Sequence, residues 1–170
     1  MPAKQSAASL EYFVDDGRFP NSRQPTVIYA QALAAADVTA EAMEALFNGN
    51  GWPSQWRSGV YDFHHYHSTA HECLGVVLGK AELRLGGPGG RLFAVTAGDV
   101  LVLPAGTTHQ RVSASSDFLV IGAYPPGQAW DLLRGEPGER PAADQRIAAV
   151  PLPMTDPVGG ASGAVLEKWA

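Results

Sequence analysis

From about residue 58 onward the apolar residues fall into short runs punctuated by glycine: GVYDFHHYH, ECLGVVLG, AELRLGG, RLFAVTAGD, VLVLP, HQRVS and DFLVIGAYP. Many short strands with frequent turns predict an antiparallel sandwich or barrel, and no long helical pattern follows that would support a parallel sheet. The predicted class is all-β. Upstream, TVIYAQAL has the β-branched and aromatic content of a strand. TAEAMEALFNGNG reads as a short helix, with Thr39 as N-cap, Glu41 in the first turn, and Met43, Leu46 and Phe47 on one face. GWPSQW supplies bulky aromatics for packing. GGPGG, residues 86–90, reads as a hairpin tip, because no GK[ST] and no strand-to-helix context make it a phosphate loop. The N-terminal stretch reads as a polar arm. After Pro125-Pro126 the chain is rich in Gly and Pro, which forbids long regular elements, yet it carries Trp130, Ile147, Leu152 and Trp169. Such a tail is expected to wrap over the barrel.

Length and charge narrow the picture. A chain of 170 residues can bury one good core, and 45% hydrophobic with 17% charged residues is ordinary for a globular domain. A formal net charge of -5 gives no electrostatic reason to expect nucleic acid or an anionic membrane as partner. VIYAQALAAADVTAEAMEALF is interrupted by Asp37, Glu41 and Glu44, so no membrane span is expected, and the start of the chain lacks the apolar run of a signal peptide. Cys73 is the single cysteine, which rules out an intramolecular disulfide and fits a reducing cytoplasm; it reads as a small buried hydrophobe.

The candidate chemistry lies in the histidines. Four of the five, His64, His65, His67 and His71, fall within eight residues and are followed at once by Glu72. On a strand, His65 and His67 point the same way and Tyr66 the other, so the H-x-H pair is a natural chelate. Glu72 would share a face with Leu74, Val76 and Leu78, while His71 and Cys73 face oppositely. The fifth histidine, His109, follows a strand and a Pro-Gly turn and can complete the set. A rival set of His65, His67, His71 and His109 requires a bulge that turns His71 inward. His64 points outward or orients a ligand. Tyr61 and Phe63 share the parity of His65 and are candidates to line the same interior. Arg111 shares the parity of His109: an anionic substrate would satisfy its charge in the cavity, and so would an ion pair at the barrel mouth.

These residues resemble the two motifs of the cupin superfamily, G-x5-H-x-H-x4-E-x6-G and G-x5-P-x-G-x2-H-x3-N. Gly59, His65, His67, Glu72 and Gly79 match the first; Gly98, Pro104, Gly106 and His109 match the second, with Ser113 in place of the terminal Asn. The stretches FHHYHSTAHECLGV, AGDVLVLPAG and IGAYPPGQAWD resemble small single-barrel bacterial cupins of largely unassigned activity. The resemblance implies a double-stranded β-helix, or jelly-roll, barrel over residues 23–130, an arm over 1–22 and a tail over 131–170 packing on the barrel. It implies one divalent transition metal held by His65, His67, Glu72 and His109, with iron or manganese favoured and zinc, nickel, cobalt or copper also compatible with nitrogen and oxygen donors. A three-histidine, one-carboxylate set leaves coordination positions open, unlike a closed structural zinc site. The expected partner is a small-molecule substrate or ligand, and the chain is expected to form a homodimer. Dioxygenase-type chemistry on a small organic acid leads, ahead of decarboxylation and isomerisation; a non-catalytic binding module is the alternative.

Overall fold

The structure, a computed structural model, describes residues 7–170. Among these residues are β1 (Ala8–Glu11), β2 (Thr26–Tyr29), α1 (Ala40–Gly49), β3 (Ser54–Ser58), β4 (Glu72–Leu78), β5 (Lys80–Leu85), β6 (Arg91–Thr96), β7 (Val100–Leu103), β8 (His109–Ala114), β9 (Leu119–Ala123), α2 (Ala142–Ala149) and α3 (Ala164–Lys168). The strands form a six-stranded sheet in the order β1-β2-β7-β4-β9-β3 and a three-stranded sheet in the order β6-β5-β8. All pairings are antiparallel. This is the expected all-β jelly roll. Among the described residues, no helix is long and apolar enough to cross a membrane.

The side-chain alternation of β4 explains how the layers stack. Leu74 and Val76 enter the space between the sheets with Leu83, Leu85, Leu101, Leu103 and Val120. Cys73 lies on the opposite face, where Val100, Val102, Ile121 and Ala123 meet Met43 and Phe47 of α1 together with Trp52 and Trp169. The large sheet is therefore covered on both faces, which is why VLVL and ECLGVV read as unbroken apolar runs. A register shift between Val76 and Leu78 breaks the alternation, and Leu78 is half exposed instead of following Glu72 inward. Helix α1 begins where the sequence places it, with the Thr39 hydroxyl accepting from the Ala42 N–H at 3.0 Å. It lies close to the sheet because Gly75 has no side chain: a Cβ there would sit 2.6 Å from Met43 Cγ and 2.7 Å from Phe47 Cζ.

The hairpin of β5 and β6 closes at GGPGG as expected, with Leu85 opposite Arg91. Three local expectations change. Residues 8–11 of the expected arm form β1, an edge strand paired with β2; residues 1–6 of that arm lie outside the described residues. Part of the Trp-rich segment is β3, paired with β9. GVYDFHHYH is not a continuous strand: only His65 and Tyr66 make bridges, to His109 and to Leu133. The reason is that this stretch serves two neighbours, one on each side, with single residues.

Two residues beyond β9 make buried polar contacts with the N-terminal part of the chain. Trp169 is buried beneath the outer face, its indole N–H donating to the Pro25 carbonyl at 2.8 Å. Asp156 is fully buried and accepts from the Tyr29 hydroxyl and from the N–H groups of Val158, Gly159 and Val165. Every lone-pair direction of that carboxylate has a donor, as burial of a charge demands.

The close approach of α1 gives a test. Gly75→Ala is expected to cost about 1–3 kcal/mol through overpacking, read as a lower thermal midpoint. Gly49→Ala, where a Cβ meets nothing within 4 Å, is expected to leave the midpoint nearly unchanged.

Candidate metal centre

Two backbone hydrogen bonds bring the remote histidines together. The His65 N–H donates to the His109 carbonyl at 3.1 Å and the His109 N–H to that of His65 at 2.9 Å. Residues paired in this reciprocal way place their side chains on the same face, and the two rings lie 4.0 Å apart between centroids. Tyr66 makes the corresponding pair with Leu133 of the tail, at 2.9 and 3.0 Å. His67 then returns to the face of His65, and the Gly106 N–H, donating to the His67 carbonyl at 2.8 Å, anchors it there. One ring nitrogen from each of His65, His67 and His109 lies within 4.8 Å of the others, and all three residues are buried.

Backbone carbonyls set the tautomers. Nδ1 of His65 meets the Phe63 carbonyl at 2.9 Å, Nδ1 of His109 meets that of Thr107 at 3.0 Å, and Nδ1 of His67 meets that of Asp131. A carbonyl only accepts, so each Nδ1 carries the proton and each Nε2 presents a lone pair to the site. Glu72, the first residue of β4, points into the same space: its Oε2 is 3.0 Å from His67 Nε2 and its Oε1 is 3.0 Å from His109 Nε2. These approaches lack hydrogen-bond alignment, and His67 Nε2 and Glu72 Oε1 are buried without a hydrogen-bond partner. Lone pairs facing one another at this distance repel unless a cation or proton lies among them. The donor set fits a divalent metal ion, which would give each orphaned atom a partner.

The second oxygen of Glu72 is held by a directional chain. Trp56 Nε1–H, which can only donate, reaches the Tyr124 hydroxyl at 2.8 Å, and that hydroxyl donates to Glu72 Oε2 at 2.6 Å. Oε1 is thereby left for the centre. Burial drives the His65 pKa down to about 3, and the neighbouring His109 adds to the effect. Burial acts the same way on His67, but the Glu72 carboxylate outweighs it and raises that pKa. Burial alone would raise the Glu72 pKa, yet His67 and His109 hold it well below the ordinary carboxylate range. The carboxylate is charged and the His65 ring is neutral at pH 7, the states in which each can ligate.

A scan against protein-family models finds no match. The chain is 38% identical over 159 residues to the uncharacterised protein YjlB of Bacillus subtilis, covering 93% of this chain and 94% of that one. The chain belongs to the YjlB family. Among solved structures it is similar to a DUF861 family protein from Thermotoga maritima, at 24% identity over 49% of this chain and 89% of that one, with a TM-score of 0.34. It is also similar to an oxalate decarboxylase of Lactobacillus farciminis solved as a formate complex, at 15% identity over 89% of this chain, with a TM-score of 0.34. The chain spans 41% of the length of that decarboxylase.

In this YjlB-family protein the triad opens onto a cavity of about 480 Å³, which Glu72 also lines. Tyr61 and Arg111 line it. Phe63 does not. It stacks on Tyr61 at 4.8 Å between centroids and lies under the Arg134 guanidinium, serving the site through its carbonyl. His64 lies outside the triad, its ring against Phe19. His71 faces the other way, and both its nitrogens are engaged: Nδ1 accepts from the Ala105 N–H at 2.9 Å and Nε2 meets the Pro151 carbonyl at 3.1 Å. Its ring lies against Trp169. The rival ligand set that includes His71 is thus not assembled. Sequence reasoning missed Tyr124 and Trp130 and treated Trp56 as packing alone. Gly122 was the available signal for Trp56, because the indole covers it so closely that a Cβ would fall 2.0 Å from Trp56 Cε2.

The buried neutral His71 makes folding stability depend on pH. Burial lowers its pKa to about 4 in the folded state, whereas in the unfolded chain it titrates near 6.5. As pH falls from about 6.5 toward 4 the unfolded chain takes up the proton first, so stability declines, at most on the order of 1 kcal/mol per pH unit. Urea titrations in chelator at pH 7 and pH 5 are expected to show this decline, with a smaller decline in His71→Gln.

Proposed function

We propose that this cupin is a metal-dependent enzyme acting on a small organic acid or related polar metabolite, with dioxygenase-type chemistry foremost and decarboxylation or isomerisation next. The observation that supports it is the convergence of three Nε2 lone pairs and an unpartnered carboxylate oxygen at the floor of an accessible cavity. In this reading His65, His67 and His109 ligate through Nε2 and Glu72 through Oε1. When bound, a divalent ion, iron or manganese first, supplies Lewis acidity and open coordination positions for substrate oxygens and dioxygen. The chain's own residues do the rest. The carbonyls of Phe63, Thr107 and Asp131 hold the imidazoles in the ligating tautomer. Trp56 and Tyr124 orient Glu72, engaging Oε2 and leaving Oε1 without a hydrogen-bond partner. One negative ligand against a doubly charged ion leaves the site net positive, which favours a carboxylate or enolate substrate. The open sheet edges at β1 and β3 make a homodimer part of the same proposal.

Elemental analysis of purified protein is expected to find one transition metal per chain. Glu72→Ala and His109→Ala are expected to lose it and His71→Ala to retain it. Metal at a hundred times its dissociation constant is expected to stabilise the fold by about 2.7 kcal/mol, roughly 5–10 °C in midpoint. Tyr124→Phe keeps the ring but frees Glu72 Oε2, and isothermal titration is expected to show about 10–100-fold weaker metal binding. Oxygen uptake by iron-loaded protein with a panel of organic acids, thiols and catechols tests the reaction; saturable binding with no turnover would leave the non-catalytic module in its place.

A further inference from the structure

Two of the aromatic residues around the cavity have their polar groups committed internally. Trp56 Nε1–H is used by the Tyr124 hydroxyl, and that hydroxyl by Glu72. What these residues offer a ligand is aromatic surface. Tyr124 and Trp130 are stacked, with centroids 4.4 Å apart and planes 9° off parallel. Trp130 and Tyr61 both line the cavity, yet they are 44% and 54% exposed. Large rings held at the surface beside a cavity gain when a flat apolar body covers them.

Arg111 adds positive charge to this lining. Arg111 is the one Lys or Arg among the lining residues. Its nearest carboxylate, Asp62, is 3.9 Å away and largely exposed, too far for a hydrogen bond. The guanidinium is therefore free to take a carboxylate in bidentate fashion. It follows His109 by two residues on β8, so its side chain leaves the strand on the same face as a proposed metal ligand.

Resting on the proposed metal centre, we infer that the cavity binds an aromatic carboxylic acid. Its carboxylate pairs with Arg111, its ring lies against Tyr61 and Trp130, and a ring oxygen at the far end faces the metal. The inference excludes the smallest aliphatic acids, which cannot cover the exposed rings.

Calorimetry on the zinc-loaded full chain tests it, with benzoate, 4-hydroxybenzoate and 3,4-dihydroxybenzoate as probes and 4-hydroxycyclohexanecarboxylate as the saturated counterpart. At least one aromatic acid is expected to bind at millimolar concentration or below, and the saturated acid about tenfold more weakly or worse. Arg111→Gln and Trp130→Ala are each expected to weaken the aromatic acid about tenfold or more, with zinc still bound stoichiometrically and, in Arg111→Gln, zinc affinity and thermal midpoint unchanged. Zinc bound stoichiometrically with no aromatic acid binding, equal affinity for the saturated acid, or indifference to Arg111→Gln would overturn the inference and leave the metal reading intact. Failure of zinc itself to bind would overturn the metal reading and the inference together, and the zinc titration reports that outcome by itself.

Discussion

The reciprocal backbone pair between His65 and His109 is the constraint on which the site depends. Each hydrogen bond contributes only about 1 kcal/mol net, but the pair dictates which faces the two imidazoles share. Without it, rings from distant parts of the chain would have no fixed relation. The pair forms because the space between the sheets is already filled: Leu83 and Leu85 on β5 and Leu101 and Leu103 on β7 hold the layers at a distance at which β8 can meet the histidine stretch. Burial therefore supplies the driving force, and two hydrogen bonds supply the alignment.

Gathering lone pairs in a dry interior is unfavourable, and the surrounding structure shows how it is managed. Each imidazole is turned by a carbonyl behind it, and Glu72 is turned by a phenol that is itself held by an indole. Nothing in this outer ring is a recognisable motif residue except by position. Phe63, Thr107 and Asp131 reach the imidazoles through the main chain, and of the three the Asp131 side chain has a task of its own, accepting from the Ser68 N–H and hydroxyl. The tightly specified residues are those whose own atoms face the centre, together with Gly122, whose lack of a side chain admits Trp56.

That distinction explains what could be read from the sequence. Alternation gave the common direction of His65 and His67 and the opposite direction of His71 and Cys73, and the spacing through Pro104 and Gly106 brought in His109. The strand pattern and hairpin at residues 86–90 were likewise legible, because turn chemistry and period-two burial are local. The edge strand β1 was not, since four residues of mixed polarity carry no signal until a partner is present. Tyr124 was invisible for a related reason: it stands in a loop after β9, and its role depends on an indole and a carboxylate brought from elsewhere. Phe63 followed the parity rule on paper, but the stretch around it is not a regular strand, and its ring stacks on Tyr61 instead.

The pairing of Tyr66 with Leu133, and the carbonyl that Asp131 lends to His67, place part of the centre's support well beyond the barrel strands. During synthesis the nascent chain can close its β-layers before those residues leave the ribosome, and at about 5–20 residues per second the last support for His67 follows the final strand by on the order of a second. Until that carbonyl is in place, an early collapsed barrel lacks what sets the His67 tautomer.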